Sequence, residues 1–255
     1  MRLEGKVAIV TGGGQGIGSA IAIALANEGS NIAIFDINME KAHNIVEEIK
    51  SLGRKAVAIN CDVAITDNVA NAVKNVLGEF NKIDILVNVA GVILISPPEN
   101  MSEDYWDRMI DTNLKGTFFC CQTVAREMIK QKSGKIINIA SLSGLFGGPN
   151  RAGYCASKGG VVNLTRALAI DWAKYNINVN SITPGFTETP RTSEIQKEYP
   201  EATESRRKRI PLQRAGKPED VAAVVVFLAC SESDYITGID ISVDGGISAI
   251  HPGYA

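Results

Sequence analysis

The chain has 255 residues, 45% of them hydrophobic, and a formal net charge of only −2. That length and apolar content suit one large α/β domain, and so small a net charge sets up no global field toward nucleic acid or an anionic membrane. Five cysteines without a CxxC spacing, two histidines, and no HExxH, GxSxG or GxxxxGK[ST] string argue against zinc, Ser-His and P-loop chemistry.

The first residues lack the apolar core of a secretory signal, and the longest apolar run, 221–230, falls short of the ~20 residues needed to cross a bilayer. A reducing, cytoplasmic setting is therefore expected, with the cysteines as small packing residues and no metal.

From residue 7 onward, short β-branched runs alternate with stretches of helical period, as in βαβ units that build a parallel sheet. Strands are predicted at 7–10, 31–35, 56–60, 85–87 and 135–139. Between them Ile17/Ile21/Ala24/Leu25, Ala42/Ile45/Val46/Ile49/Leu52 and Val69/Val73/Val76/Leu77/Phe80 each recur at three- and four-residue spacing, giving three helices with one apolar face apiece. Asn38 and Thr66 occupy N-cap positions, and Gly29 and Gly53 stand where helices end in a left-handed residue. Longer helical regions follow at 102–131 and 152–175, then a strand at 179–182. Residues 185–217 are rich in Pro, Thr, Glu and Arg with weak periodicity, too long for an ordinary connection, and read as a substrate lid or a mobile segment. Pro218 opens a helix to about residue 229, and 239–243 forms the last strand.

The segment TGGGQGIG at 11–18 lies between the first strand and the first helix, where glycines let the backbone approach a pyrophosphate at the helix N-terminus. Its glycines Gly12, Gly16 and Gly18 are spaced G-x-x-x-G-x-G, which departs from the G-x-G-x-x-G fingerprint. Asp36 ends the second strand, in position to bond ribose hydroxyls and repel a 2′-phosphate, so NAD is expected over NADP. Gln15 and Ile37 are uncharged and offer a 2′-phosphate nothing; Lys41 is the nearest cation. Tyr154 and Lys158 stand i, i+4 on a helix, placing an ammonium beside a phenol whose ordinary pKa of ~10 is too high for a base near neutrality.

Taken in order, TGGGQGIG, Asp62-Val63, Asn88-Val89-Ala90-Gly91, Asn113, Ser141, YCASK at 154–158 and Pro184-Gly185 resemble the short-chain dehydrogenase/reductase family from residue 6 to 246. The resemblance implies a single Rossmann-like, doubly wound domain with a seven-stranded parallel sheet and helices on both faces. It also implies that Tyr154 is the general acid/base, that Lys158 lowers its pKa and bonds the nicotinamide ribose, that Ser141 orients the substrate oxygen and that Asn113 holds a proton-relay water. The cofactor shell implied comprises Gly12, Gln15, Gly16, Ile17, Gly18, Asp36, Asp62, Val63, Asn88, Ala90, Gly91, Tyr154, Lys158, Pro184, Gly185, Thr187 and Thr189, with Asp62 and Val63 at adenine, Asn88 at the adenine ribose and Thr189 at the carboxamide. Val89 replaces the second Asn of the family's Asn-Asn-Ala-Gly, so hydrogen bonds from that side chain to the central strand must be absent or replaced. Ser143 reads as a loop hydroxyl, and Cys155, beside the tyrosine, as packing.

The expected activity is NAD-dependent hydride transfer with a secondary alcohol or ketone, a polyol, hydroxy acid or cyclic alcohol among the classes considered. Rival readings are a 3-oxoacyl-[acyl-carrier-protein] reductase and a catalytically silent NAD-binding sensor or scaffold. Arg191 and the run 206–209 suit an anionic substrate, although charge runs ordinarily face water. Gly147-Gly148-Pro149 forms a candidate pocket rim and Phe146 and Phe186 candidate walls. A homotetramer is expected, with the tail 247–255 docking at a neighbouring subunit.

Overall fold

The computed structural model describes residues 1–190, 192–193, 197 and 200–250, the side chains of 202 and 206 excepted. Seven parallel strands, β1 (Val7–Thr11), β2 (Asn31–Asp36), β3 (Ala56–Asn60), β4 (Ile85–Asn88), β5 (Gly134–Ile139), β6 (Ile177–Pro184) and β7 (Asp240–Val243), lie in the order β3-β2-β1-β4-β5-β6-β7. The strand order reverses between β1 and β4, which opens a crevice at the carboxyl ends of the strands, where doubly wound sheets take ligands.

Alternation along the strands divides the core between the two faces. Ala8, Val10, Ile32 and Ile34 point to one side, against Ile21 and Leu25 of α1 (Gly16–Asn27), Val46 and Ile49 of α2 (Met39–Ser51) and Val221 and Val225 of the helix that begins at Pro218. Val7, Ile9, Ala33 and Phe35 point to the other, against Val69, Val73 and Val76 of α3 (Thr66–Phe80) and Cys120, Val124 and Met128 of the helix ending at Gln131. The apolar helix faces expected from the sequence pack as those two layers.

The region 102–131 is α4 (Glu103–Ile110) and α5 (Gly116–Gln131) joined by a π-helical turn, Asp111–Lys115. α6 (Ala152–Trp172) continues through a 3₁₀ turn to Tyr175. Asn38 caps α2 by accepting from Lys41 N at 3.0 Å, and Gly29 and Gly53 are left-handed, with φ of 103° and 77°. Thr66 is not a cap: α3 starts at Thr66 itself, Ile65 holds the cap position, and no side chain caps this end.

The segment 185–217 has more order than its sequence pattern indicates. It contains α7 (Pro200–Lys208), followed by α8 (Pro218–Ala229), and its stem is closed where Gly216 N donates to Phe186 O at 2.9 Å and Glu188 N to Gly216 O at 2.8 Å. Cys61, Cys120, Cys121 and Cys230 are buried free thiols, and burial pushes Cys61 up to about 11 and Cys121 up to about 12. Among the described residues, no helix is long and apolar enough to cross a membrane.

Candidate active site

A trench of about 660 Å³ lies over the β1/β4 crevice and runs into a cavity of about 650 Å³; Ile17, Val89, Gly91, Val92 and Thr189 line both. Trench walls include Gly12, Gln15, Gly16, Gly18, Asp36, Asp62, Val63 and Ala90. The second cavity is walled by Ser141, Tyr154, Lys158, Pro184, Gly185 and Thr187. Nearly all the residues named from sequence thus gather on two connected cavities.

The turn after β1 is packed tightly on the chain itself while Gly12, Gly16 and Gly18 line the trench. A Cβ on Gly12, at φ +64°, would stand 2.9 Å from Ala90 Cα, and one on Gly18 would overlap Gly12 O. At the far end Asp36 is held from both sides: Oδ2 accepts from Gly14 N at 2.9 Å and Oδ1 from Asn38 N at 2.9 Å. Its carboxylate is therefore oriented before any ligand arrives. Lys41 Nζ, the caveat for a 2′-phosphate, is engaged by Gln15 Oε1. The residues present fit a nicotinamide dinucleotide.

In the second cavity, Tyr154 and Lys158 are one helical turn apart on α6, and Ser141 follows β5. Gly144 abuts the Lys158 backbone, where a Cβ would lie 2.7 Å from its carbonyl carbon, so the serine loop is seated on α6 at the level of the lysine. Ser141 Oγ accepts from Ser143 N at 3.2 Å. Lys158 is buried and donates from Nζ to Ile139 O at 2.8 Å, and burial pushes its ammonium down to about 8. A cation held away from water gains by having a phenolate nearby.

Two residues named from the sequence keep their side chains out of both cavities. The Asn113 side chain does not reach either cavity: it is fully buried, with Oδ1 accepting from Val92 N (2.7 Å) and Nδ2 donating to Val92 O (2.9 Å) and Ser157 Oγ (3.0 Å). With its amide committed in this way, Asn113 braces the site from behind the cavity wall. Asn88 likewise points away from the trench, since its Nδ2 donates to Asn138 Oδ1 at 2.8 Å in the buried layer beneath α5. Its family-implied contact with the adenine ribose cannot come from that side chain.

Val89 packs with the core, and the backbone at this position is held from the first strand, where Thr11 Oγ1 accepts from Val89 N at 3.0 Å and Ala90 N at 3.1 Å. Ser157 and Thr11 were both legible as letters of the quoted motifs but carried no role there. Thr192 had no signal; its Oγ1 donates to Thr187 O at 2.9 Å and accepts from Thr189 N at 2.7 Å, fastening the lid's first turn. Of the proposed walls, Phe186 lines the cavity and Phe146 lies outside it. Arg191 and the tail 251–255 lie outside the described residues.

A Rossmann-like sheet with a glycine-rich turn, an oriented carboxylate at the end of the second strand and a Tyr-x-x-x-Lys pair whose lysine is buried defines a class of nicotinamide-linked oxidoreductase. The family model described as enoyl-(acyl carrier protein) reductase matches residues 12–248. The chain belongs to the short-chain dehydrogenase/reductase family, whose members use a nicotinamide cofactor. It is 42% identical over 247 residues to the 3-oxoacyl-[acyl-carrier-protein] reductase FabG of Thermotoga maritima, covering 97% of this chain and 99% of the relative. It is also 42% identical over 245 residues to the 2-dehydro-3-deoxy-D-gluconate 5-dehydrogenase of Dickeya dadantii, covering 96% of each. The structure of an NAD+-bound xylitol dehydrogenase superposes with a TM-score of 0.93 at 34% identity, covering 96% of this chain and 100% of that one.

Proposed function

We propose that this enzyme is an NAD-dependent dehydrogenase of secondary alcohols, run in reverse as a ketone reductase. The observation that carries the proposal is the convergence of Ser141, Tyr154 and Lys158 on one cavity that shares walls with the dinucleotide trench. NAD, bound along Gly12–Gly18 and Asp36, supplies the hydride acceptor or donor. Tyr154 takes the carbinol proton from the substrate oxygen, or returns it. Lys158 stabilises the phenolate across one helical turn, Ser141 orients the substrate oxygen, and Asn113 holds the Val92 loop and α6 in register. Thr187 and Thr189, fixed by Thr192, form the lid-side wall.

Asp36 supports NAD, because its preset carboxylate would face a 2′-phosphate with like charge. A second reading, reduction of a 3-oxoacyl thioester, is favoured by the likeness to FabG, and equal identity to a sugar-acid dehydrogenase leaves the two level on sequence. Exposed Ile170 on α6 and Phe227 on α8 suit burial between subunits of the expected homotetramer. Nicotinamide-linked turnover of polyols, hydroxy acids and an acetoacetyl thioester, with NAD and NADP in parallel, tests both assignments. Wild type is expected to prefer NAD on a small alcohol, and Tyr154→Phe to lose turnover while still binding NADH; an active Tyr154→Phe enzyme, or a strong NADP preference, overturns the corresponding half.

A further inference from the structure

Beyond the reaction cavity lies a third, of about 880 Å³, walled in part by Lys208, Arg209 and the chain end at Ile247, Ser248 and Ile250. It shares Leu142, Ser143, Gly148, Arg151 and Phe186 with the reaction cavity, so Arg151 stands on the boundary between the chamber that holds Tyr154 and the outer one. The charges on these walls are one-sided. Among the described residues the two cavities are lined by Lys158, Arg151, Lys208 and Arg209 and by no aspartate or glutamate.

Arg151 is also unspent. It is the N-cap residue of α6, three residues before Tyr154, and lines the reaction cavity together with it. Among the described residues no hydrogen bond or ion pair engages its guanidinium. Elsewhere, Arg2, Arg54 and Arg214 are each paired with a carboxylate within 2.7 Å. A half-buried arginine that has no counter-ion among the described residues, facing a chamber whose described walls carry no acid, is arranged for an anion arriving with the ligand.

The geometry points to a substrate that carries an oxyanion, and to Arg151 as the residue that binds it, with Lys208 and Arg209 adding positive field from the outer chamber. This deepens the dehydrogenase reading and rests on it for the reacting end only. Two sources offer that chemistry: the carboxylate of a hydroxy or sugar acid, or the phosphate of a pantetheine-linked thioester.

The test compares neutral and anionic partners of one skeleton, xylitol against xylonate, sorbitol against gluconate, and acetoacetyl-pantetheine against its 4′-phosphate. Turnover with NAD and NADP is measured alongside calorimetric binding to the NADH complex, for wild type, Arg151→Gln, Arg151→Lys and Tyr154→Phe. In at least one pair the anionic partner is expected to bind about tenfold or more tightly, a preference lost in Arg151→Gln through KM, partly kept in Arg151→Lys and intact in Tyr154→Phe. Which pair responds identifies the source. Equal binding of charged and neutral partners in all pairs, or a preference that survives Arg151→Gln, overturns the proposal. Binding that depends on Arg151 without turnover in any variant would sustain it and count against the dehydrogenase reading instead.

Discussion

Lys158 should make the folded protein less stable at neutral pH than it would be with a neutral side chain of the same length. Its ammonium falls from an ordinary 10.5 to about 8 through burial, which corresponds to a cost of about 3 kcal/mol for the charged form. Methionine keeps the length of the stem without the charge, but forfeits the bond to Ile139 O and leaves that carbonyl unpaired, returning about 2 kcal/mol. The net expectation at pH 7 is a gain of about 1 kcal/mol for Lys158→Met, with catalysis lost. The sign reverses with pH. Between about 8 and 10.5 the unfolded chain holds the lysine proton that the folded chain has released, so wild-type stability rises with pH while the methionine variant has no such gain. By pH 10.5 the lysine form should be ahead by about 2 kcal/mol. Urea unfolding without cofactor, with both forms in a Tyr154→Phe background so that the phenol's own titration drops out, measures the difference directly. A stability difference that does not change between pH 7 and pH 10.5 would refute the idea that burial holds this ammonium down.

Gly12→Ala should lower dinucleotide affinity at least tenfold by calorimetry, because the methyl would press on Ala90 at 2.9 Å where the backbone must approach the pyrophosphate. Gly53→Ala, at φ +77° with open space around it, should cost about 1 kcal/mol of stability and leave that affinity unchanged. Asn113→Ala should lower stability by about 2 kcal/mol in urea unfolding, since it removes a fully buried amide that bonds both backbone groups of half-buried Val92 and the buried Ser157 hydroxyl.

The sheet was legible because its five inner strands are buried on both faces and so read as near-continuous apolar runs, and because Asn38, Gly29 and Gly53 mark helix ends by mechanisms local to the chain. α7 was not legible: its sequence PEATESRRK has no apolar face to set a period. The glycine turn, Asp36, Tyr154 and Lys158 could be named because their chemistry depends on their own spacing. The direction of the Asn113 and Asn88 amides was not legible, because a motif letter does not say which way an amide points; that is decided by the partner it finds across the fold, Val92 and Ser157 for one and Asn138 for the other.

Asn113 also shows how the π-helical turn at Asp111–Lys115 bears on the reacting groups. A π turn takes one residue more than an α turn, and so rotates the side chains after it relative to those before. Here it coincides with a buried amide that must meet the loop after β4 on one side and α6 on the other. Ser157, which receives the Asn113 amide, adjoins Lys158, and Gly91, which precedes Val92, is so close that a Cβ there would stand 3.0 Å from Asn113 Oδ1 and 3.5 Å from Lys158 Nζ. One amide therefore ties the wall shared by the trench and the reaction cavity to the helix that carries Tyr154 and Lys158. The spacing between the trench and the Tyr154–Lys158 pair is set by that three-way junction, which lies behind the cavity wall and apart from the lid side of the pocket.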